Sequence, residues 1–138
     1  MWFAREDSDL YWVSHPGARH SQNIAVRPRI AMVVFDSRVV PGSGQGICME
    51  AIAEQLTNLD ALESGMAVVS RESVRDGVGE WGVCRVVAPA RLRLYRACVI
   101  ESWILDPDTH STCMSVSGRD SHPKCRDRSR PGTRQGDG

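Results

Sequence analysis

The sequence predicts one mainly β domain with short helices, followed by a tail that has no core of its own. Three observations carry that reading. Apolar runs of strand length recur between Met1 and Leu105, separated by Gly, Pro, Asp and Ser. Only two stretches show helical character, and from Asp108 onward Leu, Ile, Phe, Trp and Tyr disappear altogether. A chain of 138 residues can build one hydrophobic core and hardly two. No internal repeat is visible, which removes solenoids and propellers.

Trp2-Phe3 and Leu10-Tyr11-Trp12-Val13 flank Glu6-Asp7-Ser8-Asp9, so Met1 to Ser14 reads as a hairpin of two short strands. His15-Pro16-Gly17 breaks the second strand. Ala18 to Val26 then has room for about two helical turns before Pro28, which disfavours helix at Arg27. Ile30 to Phe35 is a continuous apolar run and predicts a central strand buried on both faces. Pro41-Gly42-Ser43-Gly44-Gln45-Gly46 is a loop, and Ile47 to Leu56 resumes as a strand. Thr57 with Asp60 resembles a capping box, and Leu59, Leu62, Met66 and Val69 recur at helical spacing, giving a helix from Asn58 to Arg71. Gly77 and Gly79 open a loop. Glu80 to Val87 reads as a further strand, and Leu92 to Leu105 as one long strand or two consecutive ones. Pro107 closes the domain, 1–107, and 108–138 is expected to be a disordered basic tail.

The 17 basic and 17 acidic residues balance to a net charge of +0, so the whole molecule has no electrostatic reason to seek nucleic acid or an anionic membrane. The tail alone is positive, which is the one argument for nucleic-acid contact, and the weakest of the functional readings. The five cysteines are odd in number and form no CxxC pair, arguing against a secreted disulfide framework and for a reducing, cytoplasmic setting. No apolar run approaches a membrane span, and the opening Met1-Trp2-Phe3-Ala4-Arg5 lacks the order of a signal peptide.

The chemistry-bearing run is Ser14-His15-Pro16-Gly17-Ala18-Arg19-His20-Ser21-Gln22-Asn23. A strand ends in a hydroxyl, turns, and enters a helix headed by Arg19 and His20. The free N–H groups of a first helical turn, the helix dipole, a guanidinium and an imidazole all favour an anion, and a cofactor phosphate suits them. On spacing alone, a solvated helix start after an ordinary strand end explains the same residues equally well.

Leu10-Tyr11-Trp12-Val13-Ser14, Arg19-His20-Ser21-Gln22-Asn23-Ile24 and Arg27-Pro28 before an apolar strand together resemble the pyridoxamine 5'-phosphate oxidase-like family. Gly44-Gln45-Gly46-Ile47, Glu50-Ala51-Ile52-Ala53-Glu54, Arg93-Leu94-Tyr95-Arg96-Ala97 and Trp103-Ile104-Leu105-Asp106-Pro107 follow in the same order. The resemblance implies a split β-barrel that dimerises and holds FMN, or the deazaflavin F420, across the dimer interface. By position, Ser14, Arg19 and His20 would hold the cofactor phosphate, with Asn23 a weaker addition. The backbone of Trp12 and Val13 would line the flavin, and Gln45 and Gly46 would approach it from the partner subunit. The implied activity is a flavin-dependent oxidoreduction of a small substrate, in which no side chain need act as acid or base. Members of the family carry a helix and a strand before the strand that begins this sequence, so the barrel is expected to be incomplete at that strand. The alternative is a module of the same fold that binds flavin or dimerises without turnover. The segment by which the authentic oxidase grips pyridoxal phosphate has no counterpart here, so the substrate stays open.

Other residues read more plainly. His110, Cys113, His122 and Cys125 form two HxxC pairs, but the polar surroundings favour coincidence over a zinc site. Trp103 suits the core, Cys48 and Cys84 act as small apolar residues, and Arg91, Arg93 and Arg96 favour water over a substrate anion.

Overall fold

Strands β1 (Ala4–Glu6) and β2 (Asp9–Ser14) pair as the expected hairpin. Asp7 sits in its turn at φ 52°, a left-handed conformation that aspartate tolerates better than most residues. Helix α1 (Arg19–Val26), strands β3 (Arg29–Phe35) and β4 (Gly46–Gln55), helix α2 (Leu59–Arg75), a 3-10 turn at Val83–Arg85, strand β5 (Arg93–Leu105) and strand β6 (Cys113–Ser115) follow. The computed structural model describes residues 1–35, 38, 46–105 and 113–115. Every strand pairing is antiparallel, in the order β1-β2-β5-β4-β3, with β6 on the far end of β5.

Alternation along the strands gives the sheet an apolar layer on each face. On one side Tyr11 and Leu94 join Ala4, Leu56 and the Leu62, Met66, Val68 and Val69 stripe of α2. On the other, Leu10, Trp12, Tyr95, Ala51, Ala53 and Ala97 pack with Ile24 of α1. The Trp12 and Tyr95 rings stack at 5.7 Å between centroids. Helix α2 comes close to the sheet because Gly65 faces it, where a Cβ would stand 2.9 Å from Leu94 and 3.0 Å from Tyr11.

Several expectations are corrected. Among the described residues β3 has a strand on one side only, and its odd positions are exposed, because an unbroken apolar run does not say whether neighbours flank both sides. The cap of α2 is Asn58, whose Oδ1 accepts the Ala61 N–H at 3.2 Å, and not Thr57. The helix runs a turn further than Arg71, to Arg75, and stops where Gly77 adopts φ 77°. There the Gly77 N–H reaches the Val74 carbonyl and the Val78 N–H reaches Ser73, a paired closure of the last turn. The segment from Glu80 to Val87 is not a strand. Its bonds are local or to α2, with the Trp81 N–H on Ser70 Oγ and Val86 buried against that helix. Trp103 is half-buried, while Trp12 is the tryptophan that fills the core. Cys113–Ser115 is a strand inside the segment expected to be disordered, because backbone pairing to Trp103–Leu105 needs no large side chains. Cys98 is disulfide-bonded, against the expectation of reduced thiols, whereas Cys48 and Cys84 are free. The side chains of the two HxxC pairs lie outside the described residues.

Arg96 does not simply face water: it pairs with Glu54 and lies 3.8 Å from Asp9, whose other neighbour is the Tyr11 hydroxyl, donating at 3.3 Å. Burial, followed by the Asp9 charge, raises the Tyr11 phenol above the usual tyrosine range. The folded state therefore holds that proton more tightly than the unfolded chain, so the contribution is complete below the unfolded pKa of about 10 and is lost as pH rises past it. Melting temperatures followed by circular dichroism should fall more steeply above that pH in the native protein than in Tyr11→Phe.

Candidate functional site

The corner between β2 and α1 is built by local chain geometry. The Ala18 N–H donates to the His15 carbonyl at 3.0 Å, closing a tight turn after the last residue of β2. Within it the Gly17 N–H donates to His15 Nδ1 at 2.9 Å. A side chain at Gly17 would press on that ring, with a Cβ only 3.0 Å from Nδ1. Because Nδ1 accepts, a neutral His15 carries its proton on Nε2 and presents an exposed donor.

Across the turn, Ser14 Oγ and His20 Nε2 lie 2.7 Å apart. Ala18, at the cap position, offers no side-chain acceptor. The first backbone bond of α1 runs from Gln22 to Ala18, which leaves the N–H groups of Arg19, His20 and Ser21 to the space before the helix. Among the described residues Arg19 has no ion-pair or hydrogen-bond partner, and it is exposed. Asn23 follows at helical spacing from Arg19 and His20, on the same exposed face. Ser14 and His20 thus meet, and Arg19 and Asn23 share the exposed face of α1 that begins there.

The wall of the corner is the end of β2. Ser8 accepts from the Val99 N–H, so in this antiparallel register the even residues of β2 bond to β5 and the odd ones face β1. The β1 pairing ends at Ala4↔Tyr11, and Val13 therefore turns its N–H and C=O to a side where no described strand meets it. The Trp12 side chain does not line this space, being 2% exposed with its Nε1 buried and unpaired. Arg93, opposite Ser14, is folded back onto the carbonyls of Ala90 and Leu92, each at 2.6 Å.

Gly46 stands apart from the corner. It opens β4 opposite Phe35, at the other end from Gln55, which is level with Tyr95 and Trp12. Nine strand residues separate the two, on the order of 30 Å. Gln45 lies outside the described residues. Sequence reading missed His15, taken only as a strand breaker; the His-Pro-Gly order was the available signal. It also missed Ser21, whose buried hydroxyl has no partner in the first turn of α1.

No family model and no curated protein matches the sequence. Solved structures do. A heme binding protein from Mycobacterium smegmatis superposes with a TM-score of 0.57 at 12% identity, over 84% of this chain and 45% of that one. A protein assigned to 5-nitroimidazole antibiotic resistance, from Bacteroides thetaiotaomicron, gives 0.55 at 11% identity, over 72% and 62%. A protein assigned as a pyridoxamine 5'-phosphate oxidase, from Listeria innocua, gives 0.50 at 15% identity, over 76% and 74%. The fold is the split β-barrel of the pyridoxamine 5'-phosphate oxidase-like proteins. The chain spans less than two thirds of the length of the first two of these structures. Among the described residues no helix is long and apolar enough to cross a membrane.

Proposed function

We propose that this split barrel binds a phosphorylated flavin, FMN or F420, at the β2–α1 corner and serves, as a homodimer, in oxidoreduction of a small molecule. The observation that carries the reading is the Ser14–His20 contact at an uncapped helix start whose first residue is the exposed Arg19. Such a set fits a phosphate, since every group in it can donate and none is anionic. The outward N–H and C=O of Val13 suit the edge of a heterocycle that offers both an acceptor and a donor. A bound flavin would supply hydride transfer at its ring. The chain's own residues would hold the phosphate, fix the ring against β2 and leave proton handling to substrate and solvent. A flavin-binding module without turnover remains the alternative, separated by assay.

Heme is a second reading, resting on the likeness to the mycobacterial protein. The corner narrows that reading: the His15 Nδ1 lone pair is committed to Gly17 and His20 Nε2 is engaged with Ser14, which leaves His20 Nδ1 as the nitrogen for a metal.

Titration of the protein with FMN and with riboflavin, read by quenching of flavin fluorescence, tests the proposal. FMN should bind at least tenfold more tightly, about 1.4 kcal/mol for the phosphate. Equal affinities, or none with a Soret band on heme addition, would overturn it.

A further inference from the structure

We infer that Arg93, at the start of β5, is a second cation of the β2–α1 corner and bonds the ligand phosphate from the strand beside Ser14. The inference rests on the phosphate reading of that corner and adds a residue to it. Among the described residues two arginines are half-buried, Arg93 and Arg96. Withdrawing a guanidinium from water is unfavourable unless a counter-charge takes the place of the solvent. Arg96 has two, Glu54 and Asp9. Arg93 has no carboxylate partner among the described residues, and its acceptors are the neutral carbonyls of Ala90 and Leu92. The fold thus holds a partly desolvated positive charge that its own carboxylates do not balance.

Register puts that charge at the corner. Arg93 is the direct partner of Ser14 across the β2–β5 ladder. Residues so opposed project from the same face of the sheet with Cβ atoms about 5 Å apart. That face is the one carrying α1, because Trp12 and Tyr95, the same-face pair next along the ladder, pack with Ile24. The strands are antiparallel, so the chain enters β5 from Ala90–Leu92 at the end where β2 leaves through His15. Both carbonyls that hold the guanidinium belong to this entry segment. The side chain is therefore kept at the end of the sheet where Ser14 Oγ meets His20 Nε2.

Its anchoring leaves the useful side of the group free. One nitrogen, Nη1, makes both carbonyl bonds, each at 2.6 Å. Nε and Nη2 have no partner among the described residues, and their N–H groups form the edge of a guanidinium that meets two oxygens of one phosphate in parallel. The carbonyls fix the plane of the fork in advance, so less side-chain freedom is lost when an anion binds.

Arg93→Gln keeps a donor side chain and removes the charge. Its affinity for FMN, read by quenching of flavin fluorescence, should fall at least about tenfold, with riboflavin affinity and the far-UV spectrum unchanged. The native protein separates the two readings. Equal native affinity for FMN and riboflavin overturns the phosphate corner, and the role of Arg93 with it. A native preference for FMN that Arg93→Gln leaves intact overturns the role of Arg93 alone. A footprint on the native protein needs no variant: phenylglyoxal modification followed by peptide mass mapping should show Arg93 protected by FMN and not by riboflavin. Equal modification of Arg93 with either flavin overturns the inference, even where Arg93→Gln fails to fold.

Discussion

Trp12→Ala should cost the fold about 3–5 kcal/mol of its stability. The indole is 2% exposed, stacked on Tyr95 and packed with Leu10, Ile24, Ala51, Ala53 and Ala97. Three of those neighbours are alanines, too short to reach into the vacated volume, so much of the cavity stays open. Truncating a buried aromatic in such a place costs about 3–5 kcal/mol, against a total stability of about 5–15 kcal/mol for a domain of this kind. Urea unfolding followed by circular dichroism should show the midpoint fall accordingly. Trp12→Phe, which keeps a ring against Tyr95 and discards the unpaired buried Nε1, should retain most of the stability. If Trp12→Ala unfolds within about 1 kcal/mol of the native protein, the indole is not the centre of the α1-side layer.

Arg19→Glu should abolish selective binding of a phosphorylated flavin while leaving the fold intact. Arg19 is exposed at the first position of α1 and has no partner among the described residues, so stability has little to lose. A ligand phosphate loses the Arg19 cation and meets an anion in its place. Loss of a charge-assisted bond alone is worth about 1.5–3 kcal/mol. With the reversal added, the preference for FMN over riboflavin should disappear, a fall of at least about tenfold. Isothermal titration calorimetry on both ligands, with a melting curve as control, measures this. An Arg19→Glu protein that still prefers FMN would place the phosphate elsewhere.

Much of this molecule was legible in its residues because the signals were local. Asp7-Ser8 between two aromatic runs favoured a hairpin, and His15-Pro16-Gly17 favoured a break between strand and helix. The Ser14 to His20 juxtaposition followed from that corner. Sequence reading failed where the deciding partner was remote. Whether Ile30 to Phe35 is central depends on which strands reach it, and nothing in those residues says so. The same holds for Glu80 to Val87, whose partner turned out to be Ser70 of α2 rather than a sheet. The end of α2 is a different failure. Gly77 was taken as the opening of a loop, when a left-handed glycine is also the commonest stop signal of a helix, so Arg75 was within reach.

Among the described residues the hairpin β1–β2 and the pair β3–β4 share no backbone pairing with each other; β5 lies between them and is bonded to both. On the ribosome the first four strands emerge long before the segment that joins them, with two half-sheets waiting, each with an apolar face uncovered. Assembly must therefore follow translation, and its rate is set by the search of one late strand for two distant docking sites. Chains ending before Arg93 would lack the strand whose backbone bonds to both halves of the sheet.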